Sequence, residues 1–282
     1  MQRGTITTLQ MPQMCAFDLQ IKYSETDRKS HRHEIELHSH DRFELYINLA
    51  GDVSFLVENT LYPLSRGDVI LARPGEQHHC IYRSDAPHKL YWILFDCKQN
   101  EALLDALQAD FSENYISPDA DRKEELITLC RLLHSGRITK EEKIYSFFRL
   151  FAILKASRTT QPPAGADMPQ DLREIMDFID RHIAEDLTVG SIAKGLYISQ
   201  RTVERRFRDY LDITPLEWIR KKRLFLAAER LQRGESVLTV SLQVGYQDTS
   251  YFIELFKRYY GITPFRYQKS HAKAFGLDRP TA

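Results

Sequence analysis

The sequence predicts two domains of mixed α+β class. An N-terminal β-barrel or sandwich is followed by helices, and an all-α C-terminal domain carries two helix-turn-helix units in tandem. Three observations predict this. Residues 16–96 break into short runs rich in Ile, Val, Phe and Tyr, bounded by turn residues. Residues 187–266 hold one short module twice. Between the halves, Thr159-Thr160-Gln161-Pro162-Pro163-Ala164-Gly165-Ala166 breaks all periodicity and reads as a semi-stiff linker. The expected boundaries are a first domain over 1–158, a linker over 159–168 and a second domain over 169–272.

At 282 residues the chain has room for two ordinary cores. Its 39 Lys and Arg balance 39 Asp and Glu, so overall charge does not argue for nucleic acid. The halves differ. Residues 1–166 hold 20 basic and 23 acidic side chains, and residues 167–282 hold 19 and 16, so the basic excess falls in the second half. Cys15, Cys80, Cys97 and Cys130 lack CxxC spacing, which suggests buried thiols in a reducing compartment rather than bridges or a zinc site. No apolar stretch is long enough to span a membrane and no signal peptide opens the chain, so the expectation is a cytoplasmic protein with no membrane partner.

Residues 1–16 carry no strong period and are expected to form a mobile arm. Strands follow at 43–49, 53–57, 68–72 and 90–95, with turns at Gly51-Asp52, Ser65-Arg66-Gly67 and Arg73-Pro74-Gly75-Glu76. Many short strands in under a hundred residues predict a sandwich or small barrel. Helical spacing then begins. Leu103, Leu104, Leu107 and Phe111 make one face, and Leu126, Leu129, Leu132 and Leu133 another. Thr139-Lys140-Glu141-Glu142 is a capping box that opens a third helix with Ile144, Phe147, Phe148, Phe151 and Leu154. The first helix of the C-terminal domain is expected over 168–186, with Leu172, Ile175, Met176, Ile179 and Ile183 on one face.

The repeated module has a helix, a turn and a helix. An offset of 49 residues separates Tyr197 from Tyr246, Phe207 from Phe256 and Pro215 from Pro264, which reads as one unit used twice without a gap. In the first copy Ile192, Ala193 and Leu196 are apolar and Gly195 enters the turn. Ser199 caps a second helix that buries Val203, Phe207 and Leu211 and turns Arg201, Arg205 and Arg208 outward. In the second copy Gly245 marks the turn and Asp248 the cap; Phe252 and Phe256 are the buried face, and Lys257 and Arg258 add charge. This is the helix-turn-helix layout, against the plainer reading of two ordinary helical hairpins. Thr214-Pro215-Leu216-Glu217 opens a rod between the copies with Thr at the N-cap, Pro at N1 and Glu at N3. The rod carries Arg220-Lys221-Lys222-Arg223, and residues 199–233 hold ten basic and five acidic side chains. That excess suits phosphate contact, although a charge run is commonly just a solvated face.

These residues carry a resemblance. The Ile198-Ser199 entry, Phe207, Arg223, Ala228, Val244-Gly245-Tyr246, Ser250-Tyr251-Phe252, Phe256-Lys257 and Gly261-Ile262-Thr263-Pro264 make residues 171–270 similar to the DNA-binding domain of AraC/XylS transcription regulators. The resemblance implies two helices in successive major grooves of double-stranded DNA, about 34 Å apart. It places base-facing positions at Gln200, Arg201, Glu204 and Arg205 in the first helix and at Thr249, Ser250 and Glu254 in the second, with Arg208 and Lys257 beside them. Arginine suits guanine, glutamine adenine and glutamate cytosine N4. Glu254 stands where the first helix has Arg205, so the second unit has no arginine at the matching place.

In the N-terminal half, strict alternation would set His38, His40, Glu44, Tyr46 and Asn48 on one strand face and Phe43, Leu45, Ile47 and Leu49 on the other. His78 joins a hairpin later, and alternation turns His79 away. His31 and His33 flank a charged stretch and are expected to be exposed. The segment resembles the first cupin motif, HxHxxxE with a later glycine. Pro74-Gly75 and His78 resemble the second, which is less complete because Tyr82 stands where an asparagine is usual.

Three readings of the cluster stay open. His38, His40, Glu44 and His78 hold a metal ion; or His38, His40, Arg42, Glu44, Tyr46 and His78 bind a small polar effector without metal or other cofactor; or the histidines are structural. Sensor cupins of this regulator family often lack metal, so the resemblance implies the second reading, with a sugar or sugar derivative as the default effector. It also implies a homodimer, for which the leucine-rich stretch 122–134 is the candidate helix, against the equal alternative that this stretch packs on the barrel, and RNA polymerase as a partner if the protein activates. The expectation is a regulator and not an enzyme. The rival readings are a cupin metalloenzyme with an appended helical domain, which leaves the repeat without a role, and a DNA-binding protein whose cupin only dimerises.

Overall fold

The structure is a computed structural model that describes residues 3–10, 18–26, 37–96, 113–157 and 168–272. The chain divides into two compact units, Met1–Asp167 and Met168–Ala282. The helix expected on Leu103 to Phe111, the linker up to residue 167, His31, His33, Cys15, Cys97 and the tail after Lys273 lie outside the described residues.

The first unit contains nine strands among the described residues: β1 (Arg3–Gln10), β2 (Asp18–Thr26), β3 (Phe43–Ala50), β4 (Val53–Val57), β5 (Thr60–Leu64), β6 (Val69–Ala72), β7 (His78–Tyr82), β8 (His88–Asp96) and β9 (Tyr115–Ile116). They form a six-stranded sheet in the order β1-β2-β8-β3-β6-β9 and a three-stranded sheet in the order β5-β4-β7. The named strand pairs are all antiparallel. For residues 3–10 the expectation of a mobile arm is wrong, since they pair with β2 over eight positions, from Arg3 opposite Glu25 to Gln10 opposite Asp18; the rest of that stretch lies outside the described residues. Thr5, Ile6, Thr7 and Thr8 have β-branched side chains that favour a strand, but the sheet edge that recruits them is remote in sequence.

Alternation along β3 sorts its side chains between two cores. Phe43, Leu45 and Ile47 join a core with helices α1 (Ala120–Ser135) and α2 (Lys140–Ala156), while Tyr46 joins the core between the sheets. Thr139 and Glu142 form the expected capping box at the start of α2. The apolar face of α1 is used at home, since Leu126, Leu129, Cys130 and Leu133 pack in the first of these cores. Leu132 is not on that face; it is 44% exposed, as are Tyr145 (63%) and Phe148 (44%) on α2. Buried Asp68 ties this layer together, accepting hydrogen bonds from Tyr115 Oη, Ser117 Oγ and Lys123 Nζ of α1.

The second unit runs α3 (Gln170–Arg181), α4 (Val189–Gly195), α5 (Gln200–Leu211), α6 (Pro215–Gln232), α7 (Val237–Gln243), α8 (Thr249–Tyr260) and α9 (Pro264–Ala272). Helix α3 stops short of Ile183, at His182, which accepts the end of the helix as its C-cap. Ser199, Thr214 and Asp248 cap α5, α6 and α8 through their side chains, and Pro215 holds the first turn of α6. Phe207 and Trp218 meet edge to face at 6.1 Å in the first helix-turn-helix unit. The second is built on Leu224, Ala228, Leu231, Val240, Val244, Phe252 and Phe256.

The repeat is not gapless. Thr188 and Ser236 are the matching caps of α4 and α7, an offset of 48, whereas Ser199 and Asp248 cap α5 and α8 at an offset of 49. The second turn therefore has one residue more. Its left-handed position is Gly245 (φ 89°), which is therefore the counterpart of Tyr197 (φ 56°), in place of the Tyr246 that the constant offset pairs with it.

Candidate functional site

Two sites emerge, one in each unit. In the first, β3 begins only at Phe43, so His38 and His40 are not strand neighbours of Glu44. His38 arrives instead by an isolated antiparallel bridge to His78, each backbone N–H donating to the other's carbonyl at 3.2 and 2.9 Å. The main chain then turns so that Gly75 N–H donates to His40 O at 2.9 Å. The result gathers one donor atom each of His38, His40, Glu44 and His78 within 4.8 Å. Three of the four come from the HxHxxxE segment and the fourth from β7.

Hydrogen bonds fix the ring tautomers. His40 Nδ1 lies 3.0 Å from Arg42 O and His78 Nδ1 lies 2.9 Å from Glu76 O. A carbonyl oxygen only accepts, so both Nδ1 atoms carry hydrogen. Both Nε2 atoms then point at one carboxylate oxygen: His40 Nε2 is 2.9 Å and His78 Nε2 3.4 Å from Glu44 Oε2. The second contact lacks hydrogen-bond geometry, which leaves His78 Nε2 buried without a hydrogen-bond partner. Burial alone would push the Glu44 carboxyl up, but His78, His40 and His38 outweigh it and hold it below the usual carboxylate range. Burial opposes charge on His78 as well, yet Glu44 raises its pKa.

Two expected members differ in role. Arg42 contributes its carbonyl oxygen to His40. Tyr46 is spent deeper in the barrel, where its Oη lies 2.6 Å from His88 Nε2 and 3.2 Å from Cys80 Sγ. The sequence reading missed His88, a wholly buried histidine forty-two residues away whose only signal is its place at the start of β8. Cys80 and Cys130 are free and buried, and burial pushes both thiols up to about 12, so neither is reactive at neutral pH.

The second site is the outer face of α5 and α8. Val203, Phe207 and Leu211 are buried, and Gln200, Arg201, Glu204, Arg205 and Arg208 are exposed on the opposite side. In α8, Phe252, Leu255 and Phe256 are buried while Ser250, Glu254, Lys257 and Arg258 are exposed. Thr249 is set apart from the expected base-facing group: it is half-buried, with its hydroxyl 3.0 Å from Ser241 Oγ of α7.

The basic run on α6 is a correction to the phosphate expectation. Lys221 and Lys222 are buried. Lys222 Nζ donates to both oxygens of Asp180 at 2.6 and 2.7 Å, and Lys221 Nζ lies 3.8 Å from Glu217. Arg223 is half-buried against main-chain carbonyls, and Arg220 alone of the four is exposed. Among the described residues, no helix is long and apolar enough to cross a membrane.

Comparison with known proteins agrees with both halves. A family model described as AraC-like ligand binding domain matches residues 25–148, and one described as helix-turn-helix domain matches residues 192–270. The transcriptional activator RhaR of Mannheimia succiniciproducens is 22% identical over 262 residues, covering 88% of this chain and 92% of that protein. The lactose operon transcription activator of Staphylococcus xylosus is 23% identical, covering 79% of this chain and 82% of that protein. Among solved structures, the C-terminal domain of the response regulator yesN from Fusobacterium nucleatum is 25% identical, covers 36% of this chain and 99% of that chain, and has a TM-score of 0.34. With a sheet-rich ligand-binding domain followed by paired helix-turn-helix units, the chain belongs to the AraC/XylS family of transcription regulators.

Proposed function

We propose that this protein is a transcription activator that binds two successive major-groove segments through α5 and α8 and answers to a small polar effector at the His38–His40–Glu44–His78 cluster. One observation carries the DNA reading. Both second helices bury one apolar stripe and leave a polar, arginine- or lysine-bearing stripe uncovered, which is the chemistry of a groove-reading helix. Arg201 and Arg205 read bases, Arg208 and Lys257 meet phosphates, and Glu254 gives the second unit a different base preference. A sugar or sugar derivative is the effector class supported by the lactose operon activator among the relatives. The protein acts as a homodimer, through the exposed Leu132, Tyr145 and Phe148 rather than the buried face of α1, and an activator of this kind engages RNA polymerase.

A second reading of the cluster rests on its locked tautomers. Two Nδ1–H groups held by carbonyls, with both Nε2 atoms brought close to one carboxylate oxygen, are the outer-shell arrangement that a divalent transition metal needs; the ion would take the Nε2 lone pair of His40 in place of its hydrogen bond to Glu44. His38, His40, Glu44 and His78 fit such an ion, which would neutralise Glu44 and offer a Lewis-acid contact to a polar effector.

Heat-shift measurements on the whole protein decide between these readings, using sugars, organic acids and divalent metals, because a ligand that binds only the folded state raises its melting temperature. A sugar shift abolished by His40→Ala and Glu44→Ala supports the direct effector site. A shift with metal alone, lost in the same variants, supports the ion. No shift with any compound removes the sensor reading and leaves a DNA-binding protein whose barrel serves assembly.

A further inference from the structure

We propose that Arg223 is a positioning residue that locks the orientation of the second helix-turn-helix unit against the first, and so sets the spacing of the DNA segments that the pair reads. The inference rests on the two-groove reading above and deepens it. Arg223 lies midway along α6, the rod between the units. Its Nε donates to Ile183 O at 2.9 Å, and its Nη2 donates to Glu185 O. Both acceptors lie in the segment that leads into α4 of the first unit. Its Nη1 donates to Gly245 O at 3.2 Å, in the turn of the second unit, and the guanidinium lies 5.5 Å from the centroid of the Tyr246 ring. One planar group thus bridges the entry of one reading module and the turn of the other.

The seam is tight. A Cβ at Gly245 would lie 2.8 Å from the guanidinium carbon of Arg223 and 3.0 Å from Ala184 O. Glycine is required there twice over, since its φ of 89° is also left-handed. The acceptors are three main-chain carbonyls, each met by a different guanidinium nitrogen, a pattern that fits a rigid fork and not the single point of a lysine ammonium. Burial lowers the guanidinium pKa, as expected of a cation withdrawn from water.

This contact is not what folds either unit. The second has its own core of Leu224, Val240, Phe252 and Phe256, and the first is closed by Phe207 on Trp218 and by Lys222 on Asp180. Loss of Arg223 therefore leaves two folded modules on a rod, with more freedom between them. At an offset of 49 the residue matching Arg223 is Ala272, so the helical repeat itself does not call for a guanidinium at this place.

The test uses the full chain with spin labels at Asp209→Cys of α5 and Arg258→Cys of α8, with Cys15→Ser and Cys97→Ser. Pulsed dipolar spectroscopy without DNA is expected to give one narrow distance in the parent and a distribution at least about twice as wide in Arg223→Lys. Gly245→Ala, which strains the same seam from the other side, should broaden it too. An unchanged distribution in Arg223→Lys overturns the proposal. Circular dichroism of each variant reports whether the helices persist.

The second arm takes duplexes selected from a random pool by the parent protein, then inserts five base pairs between the two contacted segments. The parent should lose at least about ten-fold in affinity on insertion. Arg223→Lys should bind the uninterrupted duplex about ten-fold more weakly and lose less than about three-fold on insertion. An insertion penalty equal to the parent's counts against the lock. If the parent selects no duplex with two contacted segments, the two-groove reading fails, and the label distances alone decide the role of Arg223.

Discussion

Tyr197 and Gly245 hold the same place in the two turns, each the left-handed residue that follows a short scaffold helix. Yet one is glycine and the other a tyrosine that is 96% exposed. A side chain at positive φ costs about 1–2 kcal/mol, and Tyr197 recovers little of it by burial. Tyr197→Gly is therefore expected to leave stability unchanged or raise it by up to about 1 kcal/mol, after the entropy that glycine regains in the unfolded chain. Gly245→Ala should lower stability, because strain and the Arg223 contact add. Chemical denaturation of both variants checks this, and equal losses in the two would contradict the assigned equivalence.

The exposed face of α5 predicts base-specific losses. Arg205→Ala should cost about 1–3 kcal/mol of binding and relax preference at one base position. Thr249→Ala should instead act mainly on stability, because its hydroxyl is engaged by Ser241. Binding of each variant to a panel of single-base substitutions separates the two outcomes. A uniform loss across the panel for Arg205→Ala would make it a phosphate contact.

Salt dependence tests where the α6 cations go. Counterion release counts only charges that reach phosphate. Arg220→Ala should reduce the slope of log affinity against log salt by about 1. Lys222→Met should leave that slope unchanged and lower folding stability by about 1–3 kcal/mol, through the lost hydrogen bonds to Asp180. A slope change in Lys222→Met would show that the buried pair opens on DNA.

Tyr145 and Phe148 are three apart on α2 and both uncovered, with Leu132 exposed on α1. Apolar side chains in such a stripe are favoured interface material. Tyr145→Glu with Phe148→Glu is expected to weaken self-association at least about ten-fold, since buried charges at an apolar contact cost several kcal/mol. Sedimentation of parent and variant measures it, and an unaltered dimer would place the interface elsewhere.

The parts of this fold that depend on neighbours in sequence were legible. Ser199, Asp248, Thr139 with Glu142 and Thr214 with Pro215 sit where the cap rules put them. What depends on distant partners was not. Residues 3–10 have no period of their own and become a strand only against β2. Lys222 looks like a phosphate ligand until Asp180, forty-two residues earlier, is brought beside it. The offset of 49 holds for α5 and α8, and it hid a shift of one residue in the scaffold helices before them. At the histidine cluster His38, His40, Glu44 and His78 do converge, but not for the reason that alternation gives. The pleat of a single strand does not align them; a bridge between His38 and His78 does. Arg42 was read for its charge and matters through its backbone.

The pairing of β1 with β2 has a practical side. β2 is satisfied on one flank by β8 and on the other by residues 3–10. Shortening the chain to begin at residue 11 would bare the hydrogen-bonding edge of a strand that carries Leu19 and Ile21. Such an edge recruits any extended peptide, including the same edge on another molecule. The shortened protein is expected to be sticky and short-lived in solution even though the histidine cluster and helices α5 and α8 are untouched.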